Sequence, residues 1–288
     1  MQTPAPCGYE RASSVEGVIA ALAERGPSTR IVAGGHSLIP MMKLRLAQPA
    51  HLIDIGGIRD LAQIREDGGR IVIGGLANHH QVETSAIVKS KLGVLAECAA
   101  LIGDVQVRNR GTIGGSLAHS DPAADYPAAI LALEAEMRVE GSGGARTIKA
   151  EEFFIDLMTT AVQHGQILTH ISFAPLPART GGAYLKHRQP ASGFATVGVA
   201  ALVTLDPSGN CARVSVGITG LGPKAFRAKG VEAALTGKAP AAIKDAAARA
   251  ADGIDALSDI HAGADFRSEL ARVYTRRALE QAVARAKA

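Results

Sequence analysis

Tryptophan is absent from this 288-residue sequence, and aromatic residues make up only 3% of it. Proteins that hold single-stranded nucleic acid stack bases on aromatic platforms, so this composition excludes a binder of that kind. Cysteine is scarce as well. Cys7, Cys98 and Cys211 lie far apart and none belongs to a CxxC pair. They supply neither a disulfide framework nor the four thiolates of an iron–sulfur cluster, so any such cluster must sit on another chain. The nine histidines show no HExxH spacing. His79 and His80, adjacent in sequence, cannot face one metal from a helix, and no metal site is expected. No apolar run reaches membrane-spanning length, and Met1 to Cys7 lacks the basic and apolar stretches of a secretory signal, so a cytoplasmic location is expected. Dense Lys/Arg runs that track phosphate backbones are missing too, and the net charge of +4 is mild. The Arg-rich C-terminus (Arg267, Arg272, Arg276, Arg277, Arg285) alternates with apolar residues and reads as a solvated helix face.

What is present describes an ordinary globular chain, with 47% hydrophobic and 20% charged residues. The length allows two or three compact units. Ser13 and Glu16 predict a capping box, and Val15, Val18, Ile19 and Leu22 form the apolar stripe of a first helix that Gly26-Pro27 ends. Short strands are expected at Arg30–Ala33, His51–Ile55 and Arg70–Ile73, each running into glycines. Ser85 to Leu101 and the second half of Pro122 to Leu133 read as helical, and Gln166 to Phe173 as a strand. Pro175 and Pro177 mark a boundary. Beyond it come strand candidates at Tyr184–His187, Thr196–Thr204 and Arg213–Ile218, then Ala-rich helices. Strands before helices give an α+β class, with two α/β units before Pro175 and a smaller sheet-plus-helices unit after it. Gly34-Gly35, Gly74-Gly75 and Gly114-Gly115 recur at a period of 40. The segments between them differ, so this reads as a shared need for strand-to-turn glycines rather than a repeat architecture.

Two of these glycine pairs carry chemistry. Ala33-Gly34-Gly35-His36-Ser37 comes after a strand, and Thr112-Ile113-Gly114-Gly115-Ser116 after the polar run Arg108 to Gly111. Glycines let successive backbone N–H groups converge on an anion and let backbone approach a ligand closely. Hydroxyls at Ser37, Thr112 and Ser116 add donors. Two such loops could cradle the two phosphates of a dinucleotide without a lysine; singly, either could be a plain tight turn. No GxGxxG, GxxxxGK[ST] or GxSxG is present, which argues against the Rossmann, triphosphate and nucleophile-elbow alternatives.

The stretch Ile31 to Arg45 resembles the first FAD loop of the flavin subunit of the xanthine dehydrogenase/carbon monoxide dehydrogenase family of molybdenum hydroxylases, and Val107 to Asp125 resembles its second. Tyr184-Leu185-Lys186, Pro190 to Ala195 and Ser258 to Ala262 also fit, in the same order. The resemblance implies a two-part FAD-binding domain at residues 1–176 (parts about 1–57 and 58–176), of the type shared with vanillyl-alcohol oxidase. A flavoprotein C-terminal domain at 177–288, with a three-stranded antiparallel sheet and helices, would come next. It implies noncovalent FAD, with Val32, Ala33, Gly34, Gly35, His36, Ser37 and Leu38 on one side of the pyrophosphate and Thr112, Ile113, Gly114, Gly115 and Ser116 on the other. Asp125 would bond a sugar or ribityl hydroxyl, Ile167 and Leu168 would line the flavin, and Lys186 would be a cation near the ring. Phe194 would stand where relatives often carry Tyr. The alternatives at single positions are a surface lysine at 186, a helix cap at Asp125, hydrogen-bonded loop residues at His36 and His119, and a core residue at Phe194.

The implied function is electron transfer within a complex. An iron–sulfur small subunit would deliver electrons from its 2Fe–2S clusters, a molybdopterin large subunit would hold the substrate, and the assembly would be a dimer of heterotrimers. No catalytic residue is expected on this chain. Two other readings share the loops: a self-sufficient FAD oxidoreductase of the enolpyruvate-reductase type and a flavin-free scaffold.

Overall fold

The computed structural model describes residues 3–288. The chain opens with a small parallel sheet in which β1 (Gly8–Arg11) and β2 (Thr29–Val32) flank β3 (His51–Asp54). Parallel neighbours need crossover connections; α1 (Val15–Arg25) links β1 to β2, and α2 (Leu38–Lys43) lies between β2 and β3. Val18 and Leu22 of α1 pack with Ile53 and Ile55. The helix start differs from the expected box. Ser14, in extended conformation, is the cap and its hydroxyl accepts the Gly17 N–H at 3.1 Å, so Ser13 and Glu16 take no part. The half-exposed strand β1 carries no apolar pattern that would announce it.

The second sheet is antiparallel, in the order β4-β5-β10-β6-β7. Its strands are β4 (Ile64–Asp67), β5 (Arg70–Gly74), β6 (Glu136–Gly141), β7 (Gly144–Lys149) and, after a small hairpin of β8 (Phe154–Asp156) and β9 (Thr159–Thr160), β10 (Ile167–Phe173). This unit is therefore not the α/β type expected; its helices form one insertion between β5 and β6. They are α3 (His79–Thr84), α4 (Ala86–Lys91), α5 (Gly93–Ala100), α6 (Val105–Arg110), α7 (Ile113–His119) and α8 (Tyr126–Ala132), with a single turn, α9 (Ala150–Phe153), after β7. The helix expected from Ser85 to Leu101 is broken at Leu92 (φ −135°, ψ 45°), just before Gly93. The break lets Val88, Leu92 and Leu95 all reach one core, and glycine lowers the cost of leaving the helix there.

The third sheet has three long strands, β11 (Thr180–Arg188), β12 (Ala195–Leu205) and β13 (Cys211–Thr219), with a two-residue β14 (Phe226–Arg227) at its edge. Helices α10 (Lys229–Leu235), α11 (Ile243–Ala247) and α12 (Ala264–Lys287) accompany it. Side chains alternate across a strand, and β12 uses both faces. Val197, Val199, Ala201 and Val203 join the core beneath α12. Ala200 and Leu202 join the core around α5 and α8. That double burial explains why β12 reads as an almost unbroken apolar run and welds the third sheet to the rest. Among the described residues no helix is long and apolar enough to cross a membrane.

One arginine of the expected solvated face is not solvated. Arg267 is 4% exposed and donates to the carbonyls of Thr196 (2.6 Å) and Gly220 (2.7 Å) and to the Asp259 carboxylate (2.6 Å). It sits where α12 passes the start of β12. Both carbonyls belong to buried residues, so a cation with forked donors fits there. Replacing it with methionine keeps the packing but orphans the carbonyls. We expect Arg267→Met to lower stability by about 2–5 kcal/mol, read as a drop in the urea midpoint. A loss below about 1 kcal/mol, the range of ordinary surface changes, would contradict this account.

Candidate functional site

All three sheets contribute to one cleft of about 770 Å³, a size typical of sites that enclose a cofactor. Its base is backbone packed on backbone. A Cβ on Gly34 would overlap the carbonyl of Arg110, and one on Gly114 would overlap Gly75. The Gly114 N–H donates to the Gly75 carbonyl at 2.9 Å. The three glycine pairs are thus not a repeat. They meet at the cleft, where only glycine allows three segments to touch.

The first loop is an open anion cradle. Gly35 has φ +77° and Ser37 is right-handed; a left-handed residue beside right-handed backbone turns N–H groups to one side. Among the described residues, the N–H groups of Gly34, Gly35, His36 and Ser37 meet no protein acceptor. Ser37 precedes α2 without capping it through its side chain, which leaves its hydroxyl free. Val32, Ala33, Gly34, Gly35, His36, Ser37 and Leu38 all line the cleft. The exposed His36 ring lies 3.4 Å from the Gln106 carbonyl.

The second loop is not a turn. Thr112 caps α7, and Ile113 to Ser116 form its first turn. Its N–H groups are committed: Ile113 to the Ala77 carbonyl (3.0 Å), Gly114 to Gly75, Gly115 to the Thr112 hydroxyl (3.1 Å) and Ser116 to the Thr112 carbonyl (3.0 Å). This side therefore offers close approach and the hydroxyl of Ser116 rather than a second set of free amides. Thr112, Gly114, Gly115 and Ser116 line the cleft. Ile113 is not among the lining residues; its side chain is fully buried in the core.

Ile167 and Leu168 at the start of β10 line the cleft, and so do Ser192, Gly193 and Phe194 from the turn between β11 and β12. Phe194 is 43% exposed and faces this space rather than the core. Asp125 lines it too, but its carboxylate makes no helix-cap bond. Instead it accepts from Tyr184 Oη (2.5 Å) and pairs with Lys186 Nζ (2.8 Å). Burial pushes the Asp125 carboxyl up, and Lys186 and Tyr184 offset part of that rise. Lys186 is neither a surface residue nor a lining group. Its side chain is 2% exposed and its third contact is the Gly193 carbonyl at 2.6 Å.

His79 and His119 also line the cleft. In the sequence His79 is noticed only as one of two adjacent histidines that cannot share a metal. Asn78 and Gln81 form a reciprocal capping box that sets it at the start of α3, a signal legible in the sequence. Its ring Nδ1 lies 3.2 Å from Tyr126 Oη, at the buried end of the cleft. Among the described residues no group of His, Cys, Asp and Glu is placed to hold a metal ion.

A cradle of free amides beside a long, partly apolar cleft defines a dinucleotide-binding protein without a Rossmann motif. Residues 5–177 match the family described as the FAD binding domain in molybdopterin dehydrogenase, and residues 182–282 match the CO dehydrogenase flavoprotein C-terminal domain. The chain is 40% identical to the carbon monoxide dehydrogenase medium chain of Hydrogenophaga pseudoflava over 282 residues, covering 96% of this chain and 97% of the relative. It is 35% identical to the 6-hydroxypseudooxynicotine dehydrogenase complex subunit alpha of Paenarthrobacter nicotinovorans, over 99% and 97%. Among solved structures, a carbon monoxide dehydrogenase from Hydrogenophaga pseudoflava superposes with a TM-score of 0.95 at 40% identity, covering 99% of each chain. A quinoline 2-oxidoreductase from Pseudomonas putida 86 does so with 0.93 at 30%, covering each chain fully. The chain belongs to the FAD-binding medium subunits of the carbon monoxide dehydrogenase, or molybdenum hydroxylase, family.

His79 makes the cleft acid-sensitive. Burial, with smaller contributions from His36 and Arg108, lowers its pKa from 6.5 to about 4. Between those values the unfolded chain holds a proton that the folded chain refuses, so stability falls as pH drops from about 6.5 to about 4 and levels off below. The difference corresponds to about 3 kcal/mol. We expect His79→Gln to remove most of that loss from the comparison of urea unfolding at pH 7 and pH 4. Equal losses in variant and parent would show that the acid sensitivity lies elsewhere.

Proposed function

We propose that this chain is the electron-transfer subunit of a molybdenum hydroxylase complex and holds one noncovalent FAD in the cleft. The observation that carries the reading is the run of unpartnered N–H groups from Gly34 to Ser37 facing the backbone-lined surface of Gly115 and Ser116. Four amides and the Ser37 and Ser116 hydroxyls match the oxygens of a pyrophosphate, which needs donors on one side and close approach on the other. Ile167, Leu168 and Phe194 supply an apolar wall for a flavin ring, and in this reading Asp125, which lines the cleft, bonds a ribityl or sugar hydroxyl beside its buried pairing with Tyr184 and Lys186. The residues present fit FAD. Bound FAD supplies a carrier that exchanges electrons singly or in pairs; the chain's own task is to bind it, orient it and set its potential.

The rest of the complex is inferred from what this chain lacks. Cys98 and Cys211 are buried, and Cys7 is far from both in sequence. A 2Fe–2S cluster needs four protein ligands, so the clusters belong to an iron–sulfur small subunit, and molybdopterin with the substrate site to a large subunit. The relatives are named for carbon monoxide, a pseudooxynicotine and quinoline. One medium-chain fold can serve such different substrates because the substrate is selected on another subunit. We propose a dimer of heterotrimers in the cytoplasm, with units at residues 1–176 (parts about 1–57 and 58–176) and 177–288 in this chain.

The test compares the chain alone with the reconstituted complex. We expect one FAD per chain, released by acid precipitation. Dithionite-reduced flavin should reoxidise with an added acceptor in both samples, while substrate should bleach the flavin only in the complex. Bleaching of the isolated chain by an enolpyruvyl substrate and a nicotinamide dinucleotide would promote the self-sufficient reductase. A chain and complex that both refuse FAD would leave the scaffold.

A further inference from the structure

We infer that Lys186 is a positioning residue: held by Asp125, it grips the Gly193 carbonyl from behind and so fixes Ser192 and Phe194 at the cleft wall. The inference rests on the proposed FAD site and assigns Lys186 a role different from a cation laid against the ring.

The geometry of the ammonium is the first support. It has three N–H donors. Its neighbours are Asp125 Oδ1 at 2.8 Å, Asp125 Oδ2 at 2.9 Å and the Gly193 carbonyl at 2.6 Å. Two of the donors are thus spent, one on Asp125 Oδ2 and one on the Gly193 carbonyl, with Oδ1 in ion-pair contact, and the side chain is 2% exposed. Tyr184 Oη adds a bond to the same carboxylate at 2.5 Å, which fixes the anion that fixes the cation.

The second support is the turn itself. Gly193 adopts φ +76°. Gly193 N–H donates to the Gln189 carbonyl, Gln189 N–H to the Phe194 carbonyl and Phe194 N–H to the Ser192 hydroxyl. These bonds shape the turn but lie within it. Its ties to the body are the Ala195 N–H to the Ala123 carbonyl at 3.1 Å, where β12 begins, two exposed side-chain contacts, Arg188 to the Gly103 carbonyl at 3.3 Å and Gln189 to His261 at 3.5 Å, and the Lys186 grip. Lys186 makes the buried side-chain tie, and the one that reaches Gly193 itself. A buried ion pair contributes little net stability beyond an apolar replacement but can specify a geometry. Here the geometry specified is that of Phe194, the only aromatic side chain besides the histidines that lines the cleft among the described residues.

The test is a double-mutant cycle on the full chain. FAD dissociation constants and the visible circular dichroism of bound flavin are measured for the parent, Lys186→Met, Phe194→Ala and the double variant. Hydrogen–deuterium exchange of the 189–195 segment is monitored in the flavin-free chain. We expect Lys186→Met to weaken FAD binding about tenfold and to add less than about twofold once Phe194 is gone, because residues that act through one another are not additive. Exchange of 189–195 should rise in flavin-free Lys186→Met. Additive losses across the cycle would mean that Lys186 meets the flavin directly and would overturn the inference, as would unchanged exchange. Should Lys186→Met fold poorly because Asp125 is left unpaired, Lys186→Met with Asp125→Asn removes the pair together, and the same rise in exchange is required of it. A parent chain that takes up no FAD refutes the cofactor reading, while the exchange data on the flavin-free chain still decide the grip.

Discussion

Backbone must touch backbone where the three segments of this fold converge, and much of the cleft depends on that constraint. Gly34 lies against the Arg110 carbonyl and Gly114 against Gly75. Any side chain at these places would push the small parallel sheet away from the helical insertion and open the cleft base. With contact made, the Gly75–Gly114 bond seats α7 beside β5 and β10, and the loop after β2 comes to rest beside the start of α7. Glycine at such places carries an entropic cost in the unfolded chain, offset here by the packing that close approach permits.

The two sides of the cleft solve the problem of anion binding differently. On the α7 side every amide of the first turn has a protein partner, so the surface is stiff before a ligand arrives. On the β2 side the amides from Gly34 to Ser37 have none among the described residues. Under the proposed reading, phosphate oxygens would take those amides without breaking a protein hydrogen bond, and preorganisation of that kind lowers the cost of association.

Much of this is legible in the sequence, and the failures have physical reasons. The glycine pairs, the strands before them and the long strands of the third sheet arise from residue types whose local effects are strong. The first turn of α7 reads as a loop in sequence because Gly114-Gly115 depresses helix propensity; Thr112 capping and the bond to Gly75 override it. Strands β1 and β7 pair through backbone and expose much of their side-chain surface, so hydropathy does not mark them. The solvated reading of Arg267 and the surface alternative for Lys186 miss partners that lie far off in sequence, Asp125 for Lys186 and the Thr196 and Gly220 carbonyls for Arg267; of the partners only Asp259 is near, eight residues from Arg267. A buried charge is readable only once its counter-charge is located in space, and one chain read alone does not locate it.

The order in which the walls occur along the chain has a consequence for biogenesis. The cradle is spelled early, at Gly34 to Ser37, but the aromatic that closes the opposite end is Phe194, and the strand beneath it is welded to the core by β12. A nascent polypeptide leaving the ribosome therefore carries half a binding site through most of its synthesis. The contacts that complete it are among the most non-local in the molecule, and such contacts form late. The last residue of its lining is Phe194, so the cleft cannot be complete before the turn between β11 and β12 has been made.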